Sequence, residues 1–160
     1  MPYILVVYES LTGHVEEMAT HVANGVRLGG YEARLIPIEK ATHADLLGAD
    51  GIVVGSYTSY GIVAGGTKQF FDRTFPIHGK LQGKVGTAFA SSGGLGGGNE
   101  TTVLSILQVL LVHGMIVPGD SDSPHFGAVA VEAPDAASKD ACERLGKRVA
   151  DLASRLAGRR

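Results

Sequence analysis

The residues near the start of the chain that could best do chemistry form one short loop: Ser10, Leu11, Thr12, Gly13, His14 and Val15. The loop follows an apolar run that predicts a buried strand and precedes apolar residues at helical spacing, so it joins a strand to a helix. Unpaired N–H groups and the positive end of the dipole at a helix start favour an anion such as phosphate. Ser10 and Thr12 add hydroxyl donors, and Gly13 lets the backbone approach a ligand. The same residues could equally form an ordinary turn in which Ser10 and Thr12 cap the helix.

Two further loops carry residues suited to binding a flat molecule with a polar edge. One follows the third predicted strand and contains Tyr57, Thr58, Ser59, Tyr60 and Gly61. The other follows the fourth predicted strand and begins a glycine-rich run with Ser91, Ser92, Gly93, Gly94, Leu95 and Gly96. Because each glycine costs about 0.5–1 kcal/mol of conformational entropy, this run indicates backbone laid against a ligand. Aromatic side chains and exposed backbone N–H groups together favour a planar ring that carries a phosphate tail.

The three loops must be positioned by strands and helices, which alternate five times along the chain. The predicted strands, of which the fifth is interrupted, cover residues 3–8, 31–38, 51–56, 84–90, and 115–117 with 127–131. This alternation predicts an α/β fold, a doubly wound parallel sheet with helices on both faces, in a single domain over residues 1–160. Ligands of such sheets lie beyond the carboxyl ends of the strands, so the three loops should share one edge. The last helix should fray at Arg159 and Arg160.

Composition and charge exclude several function classes. The net charge of −2 offers no basic surface for nucleic acid, and no segment is long and apolar enough to span a membrane. The single cysteine, Cys142, cannot form an internal disulfide, which fits a cytoplasmic location.

Neither a dinucleotide-binding motif nor a nucleotide-triphosphate motif follows the first strand. His14, Glu17 and His21 share a helix face, but a solvated Glu17 and His21 are the simpler interpretation, so we predict neither a metal site nor a catalytic side chain.

The three loops and several other segments resemble the flavodoxin-like FMN proteins, and among them the WrbA-type NAD(P)H:quinone oxidoreductases. The matching segments span nearly the whole chain and cover residues 8–19, 55–61, 70–72, 91–93, 96–100, 113–115 and 126–128. The resemblance implies a five-stranded sheet of order 2-1-3-4-5 and FMN as the cofactor. It also implies that the first loop binds the FMN phosphate, that the second flanks the isoalloxazine ring, and that the third lines the polar edge of the ring.

The chain departs from the WrbA-type pattern at several positions around this site. Tyr57 replaces the usual proline, Ser59 stands where the family often has arginine, and Ile62 stands where it has asparagine. The tryptophan-bearing insertion after the third helix is reduced to residues 75–79. His113, at a helix end, is predicted to interact with the helix dipole rather than to catalyse. These departures leave FMN binding in place, whereas the quinone pocket and the homo-oligomer built around it need not be shared.

Two functions follow from the resemblance, and charge near the site helps to distinguish them. One is an enzyme that takes hydride from NAD(P)H and reduces a quinone or a similar acceptor; the other is a flavodoxin-type carrier that passes single electrons between protein partners. A low-potential carrier benefits from negative groups near the flavin, but the three loops are neutral and only Asp120 and Asp122 could lie close. The neutral loops and the modest net charge therefore favour the enzyme. A protein that keeps the fold but has lost FMN is a third alternative.

Overall fold

The computed structural model describes residues 1–158, and the centre of the fold is a parallel sheet built from apolar runs. Three neighbouring strands, β1 (Tyr3–Glu9), β3 (Gly51–Ser59) and β5 (Val85–Ser92), are buried along most of their length. Runs of this kind form strands because helices cover both faces of the sheet, so every residue along the strand can be apolar. The central strands are therefore the part of the fold that the sequence predicts most directly.

The remaining elements surround these three strands. They are β2 (Glu32–Pro37), β4 (Ile62–Val63) and β6 (Ala128–Val131), with the helices α1 (His14–Leu28), α2 (His43–Gly48), α3 (Gly65–Asp72), α4 (Asn99–Val112) and α5 (Ala136–Leu156). The strands pair in the order β2-β1-β3-β5-β6, all parallel, while β4 pairs antiparallel with the end of β3. Because β4 lies off this path, the five main strands have the predicted order 2-1-3-4-5, and the doubly wound α/β prediction is confirmed. No helix in residues 1–158 is long and apolar enough to cross a lipid bilayer.

Side chains along each strand alternate between two hydrophobic cores, one on each face of the sheet. Ile4 and Val6 of β1 pack with α1 and α5, whereas Leu5 and Val7 pack with α2, α3 and α4. Cys142 of α5 lies in the first of these cores, where burial raises the pKa of its thiol to about 12. The thiol is therefore unreactive at neutral pH, as its place in an apolar helix face predicts.

Two strands extend further than the sequence predicts. β3 continues through residues 57–59, which the sequence assigns to a loop, and the chain then turns back into β4 at Tyr60 and Gly61. The φ angles of these two residues are 49° and 82°, and a tight hairpin turn of type I′ requires positive values at both positions. β5 likewise includes Ser91 and Ser92, which pair with β6. The prediction ended both strands where the apolar run ends, but backbone pairing continues through polar residues.

The predicted fifth strand is shorter than expected at its beginning. Within residues 115–117 only Ile116 pairs, through a single bridge with Val85, and the strand proper begins at Ala128. Thr42 forms a capping box with Asp45 at the start of α2. The predicted fraying at Arg159–Arg160 lies outside the described residues.

α1 and α5 cross at two glycines on one face of the sheet. A methyl group at Gly25 would overlap the backbone of Glu143, and a methyl group at Gly146 would overlap the backbone of Val22. The two helices therefore approach backbone to backbone, a packing that any larger residue would prevent. The crossing fixes α1 against α5, and both helices begin at the edge of the sheet where the predicted site lies.

Gly146→Ala is expected to lower the free energy of unfolding by about 1–3 kcal/mol, because the added methyl group forces the two helices apart. The matched control is Gly65→Ala at the start of α3, where nothing lies within 4 Å of the added methyl group. That change should leave stability unchanged or raise it by up to about 1 kcal/mol, because alanine is the better helix former. Urea denaturation followed by circular dichroism measures both variants. A Gly146→Ala variant as stable as the wild type would contradict the close crossing.

Candidate functional site

The carboxyl ends of β1, β3, β5 and β6 meet at one edge of the sheet, where they border a cavity of about 260 Å³. We call it the cofactor groove, after the cofactor that the sequence predicts to bind there. This groove brings together most of the predicted site residues. Its lining consists of Ser10, Leu11, Thr12, His14, Val15, Tyr57, Thr58, Ser91, Ser92, Gly93 and Glu132. The prediction that the three loops share one edge of the sheet is therefore confirmed.

The other predicted site residues surround this groove without forming its wall. Leu95 and Gly96 line a neighbouring cleft of about 600 Å³, which lies between the third loop and the starts of α4 and α5. Neither cavity is lined by Gly13, Ser59, Tyr60, Gly61 or Gly94. The side chain of Tyr60 is fully exposed at the tip of the hairpin. The two predicted aromatics therefore differ, since Tyr57 lines the groove and Tyr60 projects into solvent.

The first loop folds around the hydroxyl of Ser10. Its Oγ accepts hydrogen bonds from the N–H groups of Gly13, at 3.1 Å, and Glu16, at 3.3 Å. Gly13 itself occupies the cap position of α1 with φ of 93°, in the left-handed region that favours glycine. Ser10 thus satisfies two backbone donors, as the capping alternative predicts, whereas Thr12 forms no hydrogen bond within residues 1–158.

A second contact joins this loop to the end of β1. The hydroxyl of Tyr8 donates to Glu16 Oε1 at 3.1 Å. Burial, together with this hydrogen bond to a carboxylate, raises the pKa of Tyr8 to about 12. Tyr8 therefore stays protonated and keeps donating to the first turn of α1 throughout the neutral range.

Four backbone N–H groups at the start of α1 remain available to a ligand. In the described part of the chain no acceptor bonds the N–H of Leu11, Thr12, His14 or Val15. All four residues line the cofactor groove, and no lysine or arginine does. An anion in this part of the groove would therefore be held by amide dipoles and the helix dipole rather than by a cation.

The hairpin of β3 and β4 is fastened to α4. Thr102 Oγ1 donates to Thr58 Oγ1 at 3.0 Å, and Thr101 Oγ1 donates to the carbonyl of Gly61 at 2.5 Å. A Cβ at Gly98 would lie 2.6 Å from the Cα of Gly61, so the end of the third loop packs directly on the hairpin turn. These contacts hold the second and third loops together as one wall.

The third loop begins with two buried serine hydroxyls, and both donate hydrogen bonds to the protein's own backbone. Ser91 Oγ donates to the carbonyl of Glu132 at 2.6 Å, and Ser92 Oγ donates to the carbonyl of Gly94 at 2.9 Å. Both hydroxyls are therefore occupied by backbone acceptors. A ligand on this side of the groove would meet mainly the exposed backbone of the loop.

The glycines of this loop fall into two groups. Gly96 and Gly98 have positive φ angles of 70° and 102°. A Cβ at Gly97 would lie 2.8 Å from the carbonyl oxygen of Gly94. The protein itself therefore requires glycine at these three positions. Gly93 and Gly94 have ordinary φ angles, and nothing lies within 4 Å of a Cβ added at either position. The fold itself does not require glycine at these two positions, where the sequence predicts backbone laid against a ligand.

Two residues near the edge were missed by the sequence prediction. Glu132, directly after β6, lines the groove and has a positive φ of 55°, which is unusual for a residue other than glycine. The predicted strand order could have indicated Glu132, because it places the end of the last strand at the same edge of the sheet. Glu9, at the end of β1, accepts hydrogen bonds from the N–H and hydroxyl of Thr67, at 2.6 and 2.7 Å, and nothing in the sequence pattern indicates this contact.

The acidic residues expected near the site lie elsewhere. Asp120 forms ion pairs with Arg144, at 3.2 Å, and with Arg148, both in the middle of α5. Burial raises the pKa of Asp120, but a hydrogen bond from the N–H of Asp122 and the two arginine charges outweigh it and hold the pKa below its usual value. Neither Asp120 nor Asp122 lines the cofactor groove, and the acidic residue among its lining residues is Glu132.

The other polar residues considered in the sequence pair across the helices. Glu17 forms an ion pair with Lys139 at 2.8 Å, and His21 Nδ1 lies 3.0 Å from Glu143 Oε1. The expectation that Glu17 and His21 are merely solvated is therefore wrong, because the closeness of α1 and α5 supplies partners on α5.

Comparison with known proteins places the chain in one family. The model of the NADPH-dependent FMN reductase family matches residues 9–124. A flavodoxin from Aquifex aeolicus is 43% identical over 94% of this chain and 86% of its own length. A NAD(P)H dehydrogenase (quinone) from Archaeoglobus fulgidus is 31% identical over 98% of this chain and 100% of its own length.

A solved structure supports the same placement. The flavodoxin, WrbA-like protein from Agrobacterium tumefaciens superposes with a TM-score of 0.83 at 27% identity, covering 96% of this chain and 98% of that one. The predicted resemblance to flavodoxin-like FMN proteins near the WrbA type is therefore confirmed. Because the family model matches well over half of the chain and the relatives align along nearly all of it, this protein belongs to the NADPH-dependent FMN reductase family.

Proposed function

We propose that this protein is an FMN-dependent oxidoreductase that takes electrons from NAD(P)H and passes them to a quinone or a similar small acceptor. FMN is the cofactor of its family, and when bound it supplies the redox chemistry. The observation that carries the proposal is the cofactor groove at the shared edge of the sheet, which offers unbonded amides and exposed glycine backbone. A single buried cysteine fits the cytoplasmic location that we also propose.

The first loop would hold the phosphate. The free N–H groups of Leu11, Thr12, His14 and Val15 belong to residues that line the groove at the positive end of α1, and the hydroxyl of Thr12 has no partner within residues 1–158. Ser10 would act indirectly, because its Oγ fixes the N–H groups of Gly13 and Glu16 and so sets the path of the loop. This arrangement binds a doubly charged phosphate without a neighbouring cation.

The second and third loops would hold the ring. Tyr57 and Thr58 form the wall next to the first loop, and residues 59–61 continue from Thr58 along the same hairpin. Gly93 lines the same groove at the start of the third loop, and the backbone of residues 93–96 would bond the polar edge of a flavin. The contacts of α4 with the hairpin fix the positions of the two loops relative to each other. We assign these residues to positioning, and no side chain to a catalytic role.

A single-electron carrier is the second candidate function. It is favoured by the 43% identity with a flavodoxin and by Glu132, an acidic residue that lines the cofactor groove. Negative charge beside a reduced flavin disfavours further reduction, which suits a carrier of low potential. The rest of the groove wall is neutral, and the net charge of −2 gives little steering towards a basic protein partner. These features favour the enzyme.

Anaerobic mixing of the FMN-loaded protein with NADPH or with NADH separates the two functions. We expect at least one nucleotide to bleach the flavin absorbance without any second protein, and a quinone to restore it. Stopped-flow absorbance measures both steps. If neither nucleotide bleaches the flavin while an external flavodoxin reductase does, the protein is a carrier. A colourless preparation that takes up no added FMN would instead support loss of the cofactor.

Gly93→Val tests whether the third loop approaches FMN. A Cβ added at Gly93 meets no protein atom within 4 Å, so the melting temperature of the cofactor-free protein should stay the same. The affinity for FMN should fall about tenfold, because the new side chain occupies the space of the ligand. Fluorescence quenching of added FMN measures the affinity.

The control for this change is Gly119→Val. Gly119 is also an exposed glycine with an ordinary φ angle and no atom within 4 Å of an added Cβ, but it lies outside the cofactor groove. This variant should bind FMN as the wild type does. Equal affinity of the Gly93→Val and Gly119→Val variants for FMN would show that the third loop does not contact the cofactor.

A further inference from the structure

His14, the first residue of α1, can change the charge of the cofactor groove. Among the lining residues, all of which lie in the described part of the chain, it is the only one able to carry a positive charge, because no lysine or arginine lines the groove. A histidine ring gains or loses its proton between about pH 5 and pH 8. A phosphate monoester loses its second proton near pH 6, so it is mostly a dianion at neutral pH. The two charges therefore change in the same range of pH.

The place of His14 in the first loop keeps its ring close to an anion held there. Its own N–H is one of the four unbonded amides at the start of α1. A phosphate oxygen that accepts this N–H lies about 3 Å from the backbone nitrogen. Covalent geometry holds both ring nitrogens within about 6 Å of the same backbone nitrogen in every rotamer. The ring and the phosphate oxygen are therefore at most about 9 Å apart, whichever way the side chain turns.

A dianion at such a distance favours the protonated ring. A nearby opposite charge stabilises the charged form of a titrating group. At about 7 Å the attraction between a dianion and a cation changes the protonation equilibrium of a histidine about five- to tenfold, even with the dielectric constant of water. The distance is below the Debye length of about 10 Å in 0.1 M salt, so screening leaves much of this effect in place.

An ion pair between two helices lies beside His14. Glu17, one turn further along α1, pairs with Lys139 of α5 at 2.8 Å. The hydrogen bond from Lys139 lowers the pKa of Glu17, although burial opposes this. The charge of Lys139 lowers the pKa of Glu17 further, and so, to a smaller extent, do the charges of His21 and His14. The ring of His14 therefore stands next to a pair that carries no net charge.

Two further acidic residues lie near the first loop. Glu16 accepts a hydrogen bond from the hydroxyl of Tyr8 at 3.1 Å, and Glu132, directly after β6, lines the cofactor groove. Both residues are present with and without a ligand, as is the ion pair between α1 and α5. The new charge on binding is therefore that of the ligand, and His14 is the lining residue that can respond to it with a positive charge.

The other five histidines, all in the described part of the chain, do not line the cofactor groove. His43 is likewise the first residue of a helix, but that helix is α2. His113 lies at the end of α4, where burial and the charge of His78 lower the pKa of its ring. The ring of His113 is therefore neutral at pH 7. Its predicted interaction with the helix dipole is wrong, because that interaction requires a cation.

We infer that FMN binding is coupled to the uptake of a proton by His14, so that the cofactor groove holds FMN more tightly when this ring is charged. The inference rests on the FMN site proposed above and adds a regulation by pH to it. The proton comes from the buffer on binding and returns to the buffer when FMN dissociates, and no other bond is made or broken. FMN would thus bring its own counter-charge into a groove that has no permanent cation.

Calorimetry of FMN binding to the cofactor-free protein measures the proton directly. The titration is run at pH 7 and low ionic strength in two buffers with different enthalpies of ionisation, and the difference between the observed heats gives the number of protons exchanged. We expect the wild type to take up about 0.5 proton per FMN more than His14→Gln, as a tenfold change in the protonation equilibrium of a histidine predicts. The phosphate titrates equally with both proteins, so the difference isolates His14.

The matched control is His43→Gln. His43 is the first residue of its helix, as His14 is, but it lies outside the cofactor groove. This variant should take up as many protons as the wild type. Equal uptake by the wild type and by His14→Gln would overturn the coupling.

The affinity for FMN should show the same coupling as a function of pH. The wild type should bind FMN about fivefold more tightly than His14→Gln at pH 6.5, and the two should bind almost equally at pH 8.5, because the ring of His14 is then neutral in both the free and the bound state. Fluorescence quenching of FMN measures both affinities. A ratio that stays constant between these pH values would show that His14 contributes a contact and no proton.

The failure of this coupling differs from the failure of the FMN site itself. Tight FMN binding without proton uptake overturns the coupling and leaves the site in place, whereas a protein that takes up no FMN refutes both. If His14→Gln does not fold, nuclear magnetic resonance of the wild type with isotope-labelled histidine decides. The ring signals of His14 should titrate about one pH unit higher with FMN bound than without it. An unchanged titration would overturn the inference.

Discussion

The close crossing of α1 and α5 at Gly25 and Gly146 sets the geometry on one face of the sheet. α1 begins at the first loop, and α5 begins a few residues after Glu132, so their contact fixes two walls of the cofactor groove relative to each other. The ion pair of Glu17 with Lys139 extends the same contact towards the groove. Because glycine at the crossing brings the helices together along their backbones, the position of the free amides depends on residues far from the site.

On the other face of the sheet, polar contacts fix the positions of the loops around the site. The carboxylate of Glu9 accepts two hydrogen bonds from Thr67 and so ties the end of β1 to the first turn of α3. Ser56 Oγ accepts from the N–H of Ala64 at 3.0 Å, which fixes the return of the hairpin, and Thr101 holds the hairpin turn from α4. The loops that would hold a ring are therefore fixed by hydrogen bonds, since their exposure leaves little apolar surface to pack.

The sequence predicts the parts of this protein that follow from local pattern. Strand–helix alternation and the apolar runs were sufficient for the α/β class and the shared edge, the family resemblance supplied the sheet order, and the first loop lies where helix spacing places it. Residues 57–59 were assigned to a loop because they are polar, although pairing with β4 keeps Thr58 and Ser59 extended. Glu132, and the arginine partners that hold Asp120 away from the groove, depend on contacts between distant segments, which no local pattern encodes.

The polar groups that the fold leaves unpaired at the cofactor groove specify the kind of ligand that it favours. At the start of α1, backbone donors without partners within residues 1–158 belong to residues that line this groove, so it favours a molecule rich in acceptors, such as a phosphate. This preference follows from hydrogen-bond accounting, because every buried or oriented polar group that the fold leaves unpaired specifies the complementary group in a ligand. The groove can therefore favour a phosphate although no lysine or arginine lines it.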